Sequence, residues 1–512
     1  MRSPYHGLRP PYTLLSNVVY FHDWRYVDVG AFRWIGPDGE KVPLFVNEPV
    51  PPMHLEYSDM PLGIALEAQP AHITDPIITA QAFGEAFLSG GTMIREHGRY
   101  RLWYECVPLE DLALGKAGAT NLLRYAESDD AMTWERPNLG LVERLGTREN
   151  NIVYGGPATP ESGYHGGSVF IDPSAPPDER FKVFHLGTMS MAAFEDYRKK
   201  WPEDVDPFAV RPSRNRVNGL FGGTSPDGLR WSPLPDPLLV QNSDTLNCCT
   251  YDVIRGKYVA YVRTWFFGRR TIGRTESDTF SHFPLPLELV WPDAGMDPCD
   301  TWYANGKTTM PDAPEYHLMF PLRWILPEDR FEFHLMSSPD GIVWGHVPGG
   351  AVGRPGAPGT WNYGGVTAGI GLVELPADRM GLLVTGYHLP HKYPRRPPYG
   401  KMAWACWPKG RLVALNAHRD GSFALYPLLF KGNRVVLNLS AEASGYIQVE
   451  ARDASRHPLP GRSFADCDPA AEDSLSHLVT WKGQPDLAVT PGSPVQLAFR
   501  MRCARLFSVR FV

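Results

Sequence analysis

The sequence predicts an all-β protein: a five-bladed β-propeller followed by a C-terminal β-sandwich. Three observations lead to this prediction. A short pattern that runs from Ser to an aromatic residue returns four times, five similar strand segments accompany it, and shorter alternating strands take over near residue 411. The 49 Gly and 50 Pro among 512 residues suit many short strands joined by turns. A chain of this length predicts more than one domain.

The repeated pattern predicts one hairpin, used again and again. A strand is expected to end at the Ser, a tight turn to use Asp or Pro-Asp-Gly, and the aromatic residue to begin the next strand. The four copies are Ser128 to Trp134, Ser225 to Trp231, Ser277 to Phe283 and Ser338 to Trp344. Repeated hairpins with their own buried aromatic residue are typical of β-propellers.

Five second strands define five repeats over residues 81–410. Four of them precede the four hairpins, and the fifth belongs to a repeat without the Ser turn. They are Tyr100 to Tyr104, Phe181 to His185, Tyr258 to Val262, Tyr316 to Phe320 and Met380 to Val384. Before each lies a turn, and before that a first strand rich in the small residues that the crowded centre of a propeller admits. In the fifth repeat, a variant third strand at Lys401 to Trp407 replaces the Ser turn.

The remaining segments have separate predictions. Residues 1–80 are Pro-rich and are expected to pack on the propeller, supplying a closing strand and loops at its rim. Residues 187–218 interrupt the second repeat and contain a helical stretch, Ala192 to Trp201; such a long insertion predicts a lid or a subunit contact. Residues 411–512 alternate in short strands and are expected to form the sandwich. These strands are Ser422 to Tyr426, Arg434 to Leu439, Gly445 to Glu450, Val495 to Phe499 and Arg505 to Val512.

Composition narrows the partners. A formal charge of -6 and a pI near 6.3 provide no basic field for nucleic acid or an anionic membrane. No apolar run reaches the length of a membrane span, which predicts a soluble protein, and the N-terminus carries no apolar signal core, which favours the cytoplasm but leaves the compartment open. A homo-oligomer, if formed, would use the sandwich or residues 187–218.

Cofactors are not expected, apart from a structural ion on the propeller axis. The seven Cys are scattered and predict buried free thiols rather than a disulfide framework, with a Cys467 to Cys503 bridge as the alternative. His388 and His391 share a loop with no obvious carboxylate partner, so no metal site is predicted there. Nucleotide-binding, serine hydrolase and His-Glu-x-x-His motifs are absent from the sequence.

Two short stretches carry a resemblance to a known clan. Gly98 to Pro108 looks like the second strand of the first invertase blade, and Tyr125 to Pro137 looks like the hairpin that follows it. With the five repeats and the tail, the chain resembles the glycoside hydrolases that include invertases, inulinases, levanases and arabinanases (families 32 and 43). Uncharacterised relatives of that clan are closer still, sharing Asn150-Asn-Ile-Val, Ser243-Asp-Thr and the region from Asp466 to Trp481. The sialidase Asp box comes second, because its aromatic residue falls one position later.

The chain departs from this clan where the chemistry lies. The invertase branch carries a nucleophilic Asp, a stabilising Asp and an acid Glu on its first three blades. Counting back from the second strands places these near Ser89, His165 or Gly166, and Asn247, none of which is a carboxylate. Asp172-Pro173 imitates one of the motifs but is interpreted as a turn. The catalytic residues of the clan cannot be carried over, and a fold alone does not fix a function.

Other carboxylates are therefore the catalytic candidates. The starts of first strands and the ends of second strands meet at one mouth of a propeller, because these strands are antiparallel. The candidates there are Asp244 and Asp300, with Glu85 and Glu105 as partners. Glycoside cleavage uses two carboxyl groups, one protonated and one ionised, and crowding raises the pKa of one of them. Asp244 and Asp300 are equally open to strand-capping roles, and Glu105 to an ion pair with Arg.

The same mouth offers groups for substrate binding. These are His165, Arg263, Trp265, Trp302, Tyr303, Trp361 and His388. His165 is expected to bind a sugar hydroxyl, a water or an ion, or else to be a satisfied half-buried His; Arg263 is a clamp or a surface ion pair; the Trp residues stack on sugars or pack the blades. The sequence thus predicts a glycosidase with paired carboxylates, with a non-catalytic, lectin-like propeller as the alternative and a structural scaffold as a third hypothesis.

Overall fold

The computed structural model describes residues 3–41, 53–80, 83–110, 121–155, 163–211, 215–394 and 396–512. Strands account for 51% of the chain and helices for 4%, so the predicted all-β class is confirmed. The chain divides into two compact units. The larger unit comprises Pro70–His346 and Gly350–Pro408, and the smaller comprises Met1–Gln69, Val347–Gly349 and Lys409–Val512.

The larger unit contains five antiparallel strand groups that follow one another along the chain. Group 1 is Glu85–Glu96, Arg99–Pro108, Leu122–Ser128 and Ile152–Gly155. Group 2 is His165–Ile171, Phe181–Met189 and Arg216–Ser225, with Val210–Arg211 and Ser232–Pro233 beside the last. Group 3 is Cys248–Asp252, Lys257–Phe266, Arg269–Ser277 and Leu287–Val290.

Groups 4 and 5 are more irregular. The strands of group 4 are each broken, giving Thr301–Ala304 and Lys307–Met310, Ala313–Met319 and Leu322–Ile325, Arg330–Phe333 and Met336–Ser338, then Gly345–His346. Group 5 is Gly365–Leu375, Arg379–Tyr387 and Lys401–Pro408, followed by His72–Ile73 and Ile78–Thr79. Single parallel bridges, Phe331 to Gly365 and Ile370 to Thr92, join neighbouring groups.

The predicted second strands are strands in the structure. Four lie wholly inside the second strand of their group, and the fourth in chain order ends at Met319, one residue earlier than predicted. Each repeated Ser ends a third strand, as predicted, at Ser128, Ser225, Ser277 and Ser338. The aromatic residue directly precedes a two-residue strand at Trp231 and Trp344, whereas no described strand directly follows Trp134 or Phe283.

Side-chain to backbone hydrogen bonds explain why the repeated turn forms. Ser225 Oγ accepts from the backbone N–H of Gly228 at 2.9 Å, and Asp227 Oδ1 accepts from those of Leu229 and Arg230 at 2.8 Å. Ser and Asp side chains favour such turns because they satisfy amides that the strand ladder leaves unpaired. The same contacts recur in the copies at Ser128 and Ser338. The Ser277 copy has Thr279 in place of Asp, and its described turn retains the Thr279 N–H bond to Ser277 Oγ.

The segment before residue 81 supplies the expected closing strand. His72–Ile73 and Ile78–Thr79 pair antiparallel with Lys401–Pro408, adding the outermost strand to group 5. The backbone N–H of Ile77 also donates to Met402 O at 2.8 Å. Residues up to Gln69 belong to the smaller unit, and residues 70–80 belong to the larger one.

The insertion in group 2 contains helix α1, Met191–Lys200, which confirms the predicted helical stretch. Ser190 caps its N-terminus by accepting from the backbone N–H of Ala193 at 3.2 Å. Phe194 and Tyr197 are the buried residues of the helix. No helix among the described residues has the length and apolar character needed to cross a bilayer.

The smaller unit contains a six-stranded sheet. Its order is Asp473–Leu478, Val435–Arg452, Gln496–Phe511, Val413–Ala424 and Ala65–Ala68, with Val18–Tyr20 also pairing with Gln496–Phe511. The short strands predicted after residue 411 therefore merge into longer ones, interrupted by bulges such as that between Ala441 and Tyr446. Tyr12–Thr13 pairs with Leu428–Leu429, and Ala31–Ile35 with His54–Ser58. All seven cysteines are free, so the alternative bridge from Cys467 to Cys503 is not formed.

Candidate functional site

A cavity of about 300 Å³ lies where strands of the larger unit begin and end, and we call it the site cavity. Its wall includes four residues that the sequence singled out: Glu105, His165, Asp244 and Tyr303. Aromatic rings cover much of the remaining wall, namely those of Phe87, Phe331, Tyr387 and Tyr399. A concave pocket with aromatic residues and a few convergent polar groups on its wall is the usual form of a small-molecule site.

Local strand geometry brings the polar groups together. Glu105 is near the end of a second strand, Arg99–Pro108, and His165 begins a first strand, His165–Ile171. Asp244 stands just before the next first strand, Cys248–Asp252. The expectation that first-strand starts and second-strand ends share a mouth therefore holds for these three residues.

His165 bridges two carboxylates. Its Nδ1 is 2.6 Å from Glu105 Oε1, and its Nε2 is 2.9 Å from Asp244 Oδ1. Glu105 is almost wholly buried and also accepts from the backbone N–H of Gly166 at 2.8 Å and from the side-chain amide of Asn121. These bonds fix the ring on the Glu105 side, while the Asp244 side faces the cavity.

Arg263 completes this chain of charges. Its Nη1 donates to Asp244 Oδ2 at 2.6 Å, and its Nε donates to Tyr303 O at 3.2 Å. The Arg263 side chain is 2% exposed, whereas that of Asp244 is 48% exposed. The guanidinium also lies 4.2 Å from the centroid of the Tyr303 ring, within cation–π range. The carboxylate of Asp244 is thus half exposed, and its Oδ2 is paired with the buried guanidinium of Arg263.

The pKa values of His165 and Asp244 are shifted in opposite directions. Burial lowers the pKa of His165, but the carboxylates of Glu105 and Asp244 raise it by more, so it stands well above 6.5. Burial raises the pKa of Asp244, but Arg263 and His165 lower it by more, to well below 3.8. At neutral pH the proton therefore resides on His165 and Asp244 is ionised. The expectation that crowded carboxylates raise one another's pKa does not hold for Asp244, because its nearest charged neighbours are cations.

Asp300 and Glu85 are buried among other partners outside the site cavity. Asp300 is 1% exposed, and its Oδ2 accepts from Arg323 Nε at 2.8 Å. Glu85 is likewise buried; its Oε1 accepts from the Tyr104 hydroxyl at 2.6 Å, and Arg136 lies 3.6 Å from Oε2. Both positions fit a structural ion pair or hydrogen bond, and neither residue lines the site cavity.

The predicted binding residues divide in the same way. Trp302 is 1% exposed and packs between groups 3 and 4, and Trp361 packs against Gly386; neither lines the cavity. Trp265 is 40% exposed, and Arg270 lies 4.7 Å from its ring centroid. His388 is exposed, with its ring 5.4 Å from that of Tyr399.

Sequence reasoning missed several residues of the cavity wall. Asn121 immediately precedes the third strand Leu122–Ser128, and third strands start at the same mouth where second strands end, so the same rule would have found it. His391 and Lys392 also line the cavity, with 3.2 Å between His391 Nε2 and the Tyr303 hydroxyl. They lie in the loop between the strands Arg379–Tyr387 and Lys401–Pro408 of group 5, and the rule for strand ends does not specify which residues of this loop reach the cavity.

The three positions where the clan carries carboxylates do converge here. Ser89 and His165 line the site cavity. The Asn247 side chain is buried and donates to Gly166 O at 3.0 Å and to Asp244 O at 3.1 Å, which holds the backbone beside both charged residues. Asp172 is a turn residue, as interpreted from the sequence: its Oδ1 accepts from the backbone N–H of Ser174 at 2.9 Å. Among the described residues no group of three His, Cys, Asp or Glu is arranged to hold a metal ion.

No protein-family model and no curated protein sequence matches this chain. Similar solved structures include an N-acetylgalactosamine deacetylase from F. plautii in complex with blood group B trisaccharide, with a TM-score of 0.44 and 12% identity over 67% of this chain and 95% of that chain. A GH32 β-fructofuranosidase from Bombyx mori has a TM-score of 0.41 and 8% identity over 88% of this chain and 94% of its own. An α-L-arabinofuranosidase from Podospora anserina has a TM-score of 0.42 and 11% identity over 66% and 97%. Glycoside hydrolases of families 32 and 43, which the sequence resembles, are both represented among such structures.

Proposed function

We propose that this protein hydrolyses a glycosidic bond in the site cavity. The observation that carries the proposal is the pairing of a protonated His165 with an ionised, half-exposed Asp244 on an aromatic wall. Glycoside cleavage needs a proton donor for the leaving oxygen and a negative group beside the developing positive charge of the sugar. Both groups are present within one hydrogen bond of each other.

The roles differ from those of a simple pair of carboxylates. The imidazole of His165 occupies the space between Glu105 and Asp244, so these two carboxylates do not flank an open gap for the scissile bond. His165 acts as the general acid, donating its Nε2 proton to the leaving oxygen. Asp244 then stabilises the sugar cation or activates the attacking water, while Glu105 holds the ring in place.

The larger unit would serve this function as a five-bladed propeller, each strand group being one blade. Supporting this assignment, one further cavity is lined by first strands of all five groups, as expected if these strands surround a common axis. Its wall includes Thr92, Val169, Cys248, Thr308 and Ile370. For the smaller unit we infer a sandwich, in which the bulged strands Val435–Arg452 and Gln496–Phe511 turn from one layer to the next.

A substrate longer than one sugar would extend past Tyr303 towards Trp265. Arg270 links the two rings, because its guanidinium lies 5.3 Å from the Tyr303 ring and 4.7 Å from that of Trp265. Arg263 and Trp265 share one face of the strand Lys257–Phe266, since residues two apart on a strand point to the same side. The exposed Trp265 thus offers a stacking surface that continues from the cavity wall.

The test is product release from a panel of aryl glycosides and plant, bacterial and algal glycans. We expect Asp244→Asn and His165→Asn to abolish cleavage of whichever substrate the native protein cleaves. Asp278→Asn, which changes a carboxylate whose side chain is 81% exposed, is the matched control and should retain activity. Thermal unfolding of all variants separates loss of chemistry from loss of fold.

A different result would favour a carbohydrate-binding protein without catalysis. In that case the native protein releases no product from any glycan of the panel, and glycan binding survives both Asp244→Asn and His165→Asn. Cleavage that persists at the native rate in both variants would instead place the chemistry elsewhere in the molecule.

A further inference from the structure

Lys307 is a buried cation in the cavity that first strands of all five groups line, which we call the first-strand cavity. This cavity has a volume of about 230 Å³, and Lys307 is 5% exposed on its wall. It is distinct from the site cavity, with which it shares no lining residue. Its volume is several times the roughly 30 Å³ that a water molecule occupies in the liquid.

The ammonium of Lys307 has little compensation from the protein. Its Nζ donates to Thr308 O at 2.9 Å and lies 5.7 Å from the centroid of the Tyr261 ring. Among the described residues no carboxylate comes within ion-pair distance of it. An ammonium has three protons to donate, and a buried charge is costly unless it is paired.

The charged groups nearby offset the burial of this ammonium only in part, since Asp252 acts on it without forming an ion pair. Burial lowers the pKa of Lys307 to about 8; Asp252 and Cys248 act in the opposite direction, and Arg274 lowers it further. Arg274 already pairs with Glu276, with 2.9 Å between Nη1 and Oε2. Burial raises the pKa of the Cys248 thiol to about 12, so this group is neutral at pH 7. Lys307 is therefore still protonated at pH 7 and faces a cavity with a positive wall.

A hydroxyl on the same wall adds a donor. Thr92 Oγ1 accepts from the backbone N–H of Val169 at 3.1 Å, so the hydroxyl proton of Thr92 is directed elsewhere. Thr92 and Lys307 both line the first-strand cavity. An ammonium and a hydroxyl on an otherwise largely apolar wall are the groups that a negatively charged ligand would contact.

We propose that the first-strand cavity binds a small inorganic anion, such as chloride, against the ammonium of Lys307. The anion supplies the negative charge that the protein withholds from this buried cation. It would bind the folded protein and not the unfolded chain, so it stabilises the fold by mass action. This site gives the expected ion on the axis a negative sign, and it does not depend on the reaction in the site cavity.

The experiment measures Tm at pH 7 as chloride replaces gluconate at constant sodium and constant ionic strength. We expect a saturable rise in Tm for the native protein and for Lys199→Met, whose side chain is 75% exposed. The rise should be absent in Lys307→Met. In gluconate alone, Lys307→Met should have a higher Tm than Lys199→Met. An equal, non-saturating response in Lys307→Met would overturn the proposal.

A second measurement covers the case in which Lys307→Met does not fold. The ³⁵Cl NMR signal of chloride should broaden when the native protein is added. It should narrow again as bromide, phosphate or sulfate displaces the chloride. Crystals soaked in bromide should show an anomalous peak beside Lys307 Nζ. Displacement by phosphate or sulfate alone would identify an oxyanion as the ligand, still within the proposal. An empty cavity in the soaked crystals would overturn it.

Discussion

Asp244 and His165 form an ion pair at the wall of the site cavity, with 2.9 Å between Asp244 Oδ1 and His165 Nε2. Each of the two side chains also forms an ion pair with a buried group of opposite charge. Glu105 lies 2.6 Å from His165, and Arg263 lies 2.6 Å from Asp244. The chain of alternating charges fixes both protonation states at neutral pH, which is what acid catalysis beside an ionised carboxylate requires.

The first prediction concerns the pH profile of kcat/KM. The proposed mechanism needs His165 protonated and Asp244 ionised, so activity should fall at high pH as His165 loses its proton and at low pH as Asp244 gains one. Because the pKa of His165 is raised and that of Asp244 is lowered, the alkaline limb lies well above pH 6.5 and the acidic limb below pH 3.8. The measurement is kcat/KM between pH 3 and 10 on the best substrate of the panel.

The stability of the fold follows the same signs. His165 contributes fully below its unfolded pKa near 6.5 and loses its contribution as pH rises through its higher folded pKa. Asp244 contributes to stability above its unfolded pKa and loses this contribution as pH falls.

Arg263→Gln removes a cation from Asp244 and should shift the acidic limb of kcat/KM upward, whereas Arg230→Gln, with a 70% exposed side chain, should not. An alkaline limb below pH 6.5 would show that His165 is not the acid.

The second prediction separates Asp300 from Asp244. Asp300→Asn leaves Arg323 with a weaker partner in a buried setting, and removing one member of a buried pair costs about 3 kcal/mol of the free energy of unfolding. Glu332, 3.4 Å from Arg323, offsets part of this loss. The variant should therefore unfold at lower denaturant concentration but retain its kcat. Asp244→Asn should instead lose kcat, together with the stability that its ion pairs contribute, and a loss of kcat in Asp300→Asn at full folding would return Asp300 to the catalytic candidates.

These two Asp residues show how far sequence reasoning reaches. Both stand just before a first strand, and the strand pattern alone predicts them equally well. The two residues differ in their Arg partner and in their exposure. Asp300 pairs with Arg323 and its side chain is 1% exposed, whereas Asp244 pairs with Arg263 and its side chain is 48% exposed. Such pairings depend on tertiary packing, which the repeat pattern does not encode.

The strands themselves divide in the same way. The Ser and Asp turns were predictable because their hydrogen bonds join residues two or three apart, as in Ser225 to Gly228. The pairing of Val18–Tyr20 with Ser508 to Arg510 was not, because it joins residues 488 or more positions apart and no local pattern specifies the partner. The site shares this limit, since His391 and Lys392 reach the cavity through a loop of the fifth repeat, between the strands Arg379–Tyr387 and Lys401–Pro408, whose course the strand pattern does not specify.

The third prediction tests the repeated turn. Gly228 has φ +76, and a Cβ at this position would lie 2.6 Å from Trp103 Cζ2. The left-handed conformation costs a non-glycine residue about 1 kcal/mol, and crowding a fixed ring adds about 1–3 kcal/mol. Gly228→Ala should therefore lower the free energy of unfolding by about 2–4 kcal/mol, measured by denaturant titration.

Gly268 offers the matched control for this substitution. Its φ is +75, but nothing lies within 4 Å of a Cβ built there. Gly268→Ala should thus cost only the conformational part, about 1 kcal/mol. Equal losses in the two variants would mean that Trp103 yields to the new methyl group and that this contact does not restrict the turn.

The fourth prediction concerns substrate length. Trp265 is 40% exposed and connects to the cavity wall through Arg270 and Tyr303. Trp265→Ala removes a stacking surface that only a chain of several sugars reaches, so it should raise KM for oligosaccharides several-fold and leave kcat/KM for aryl monoglycosides unchanged. Phe208→Ala, which removes a 75% exposed ring from another strand group, is the control for a general surface effect. If Trp265→Ala weakens long and short substrates equally, the ring acts by supporting Arg270 and the cavity wall, and the substrate does not extend over it.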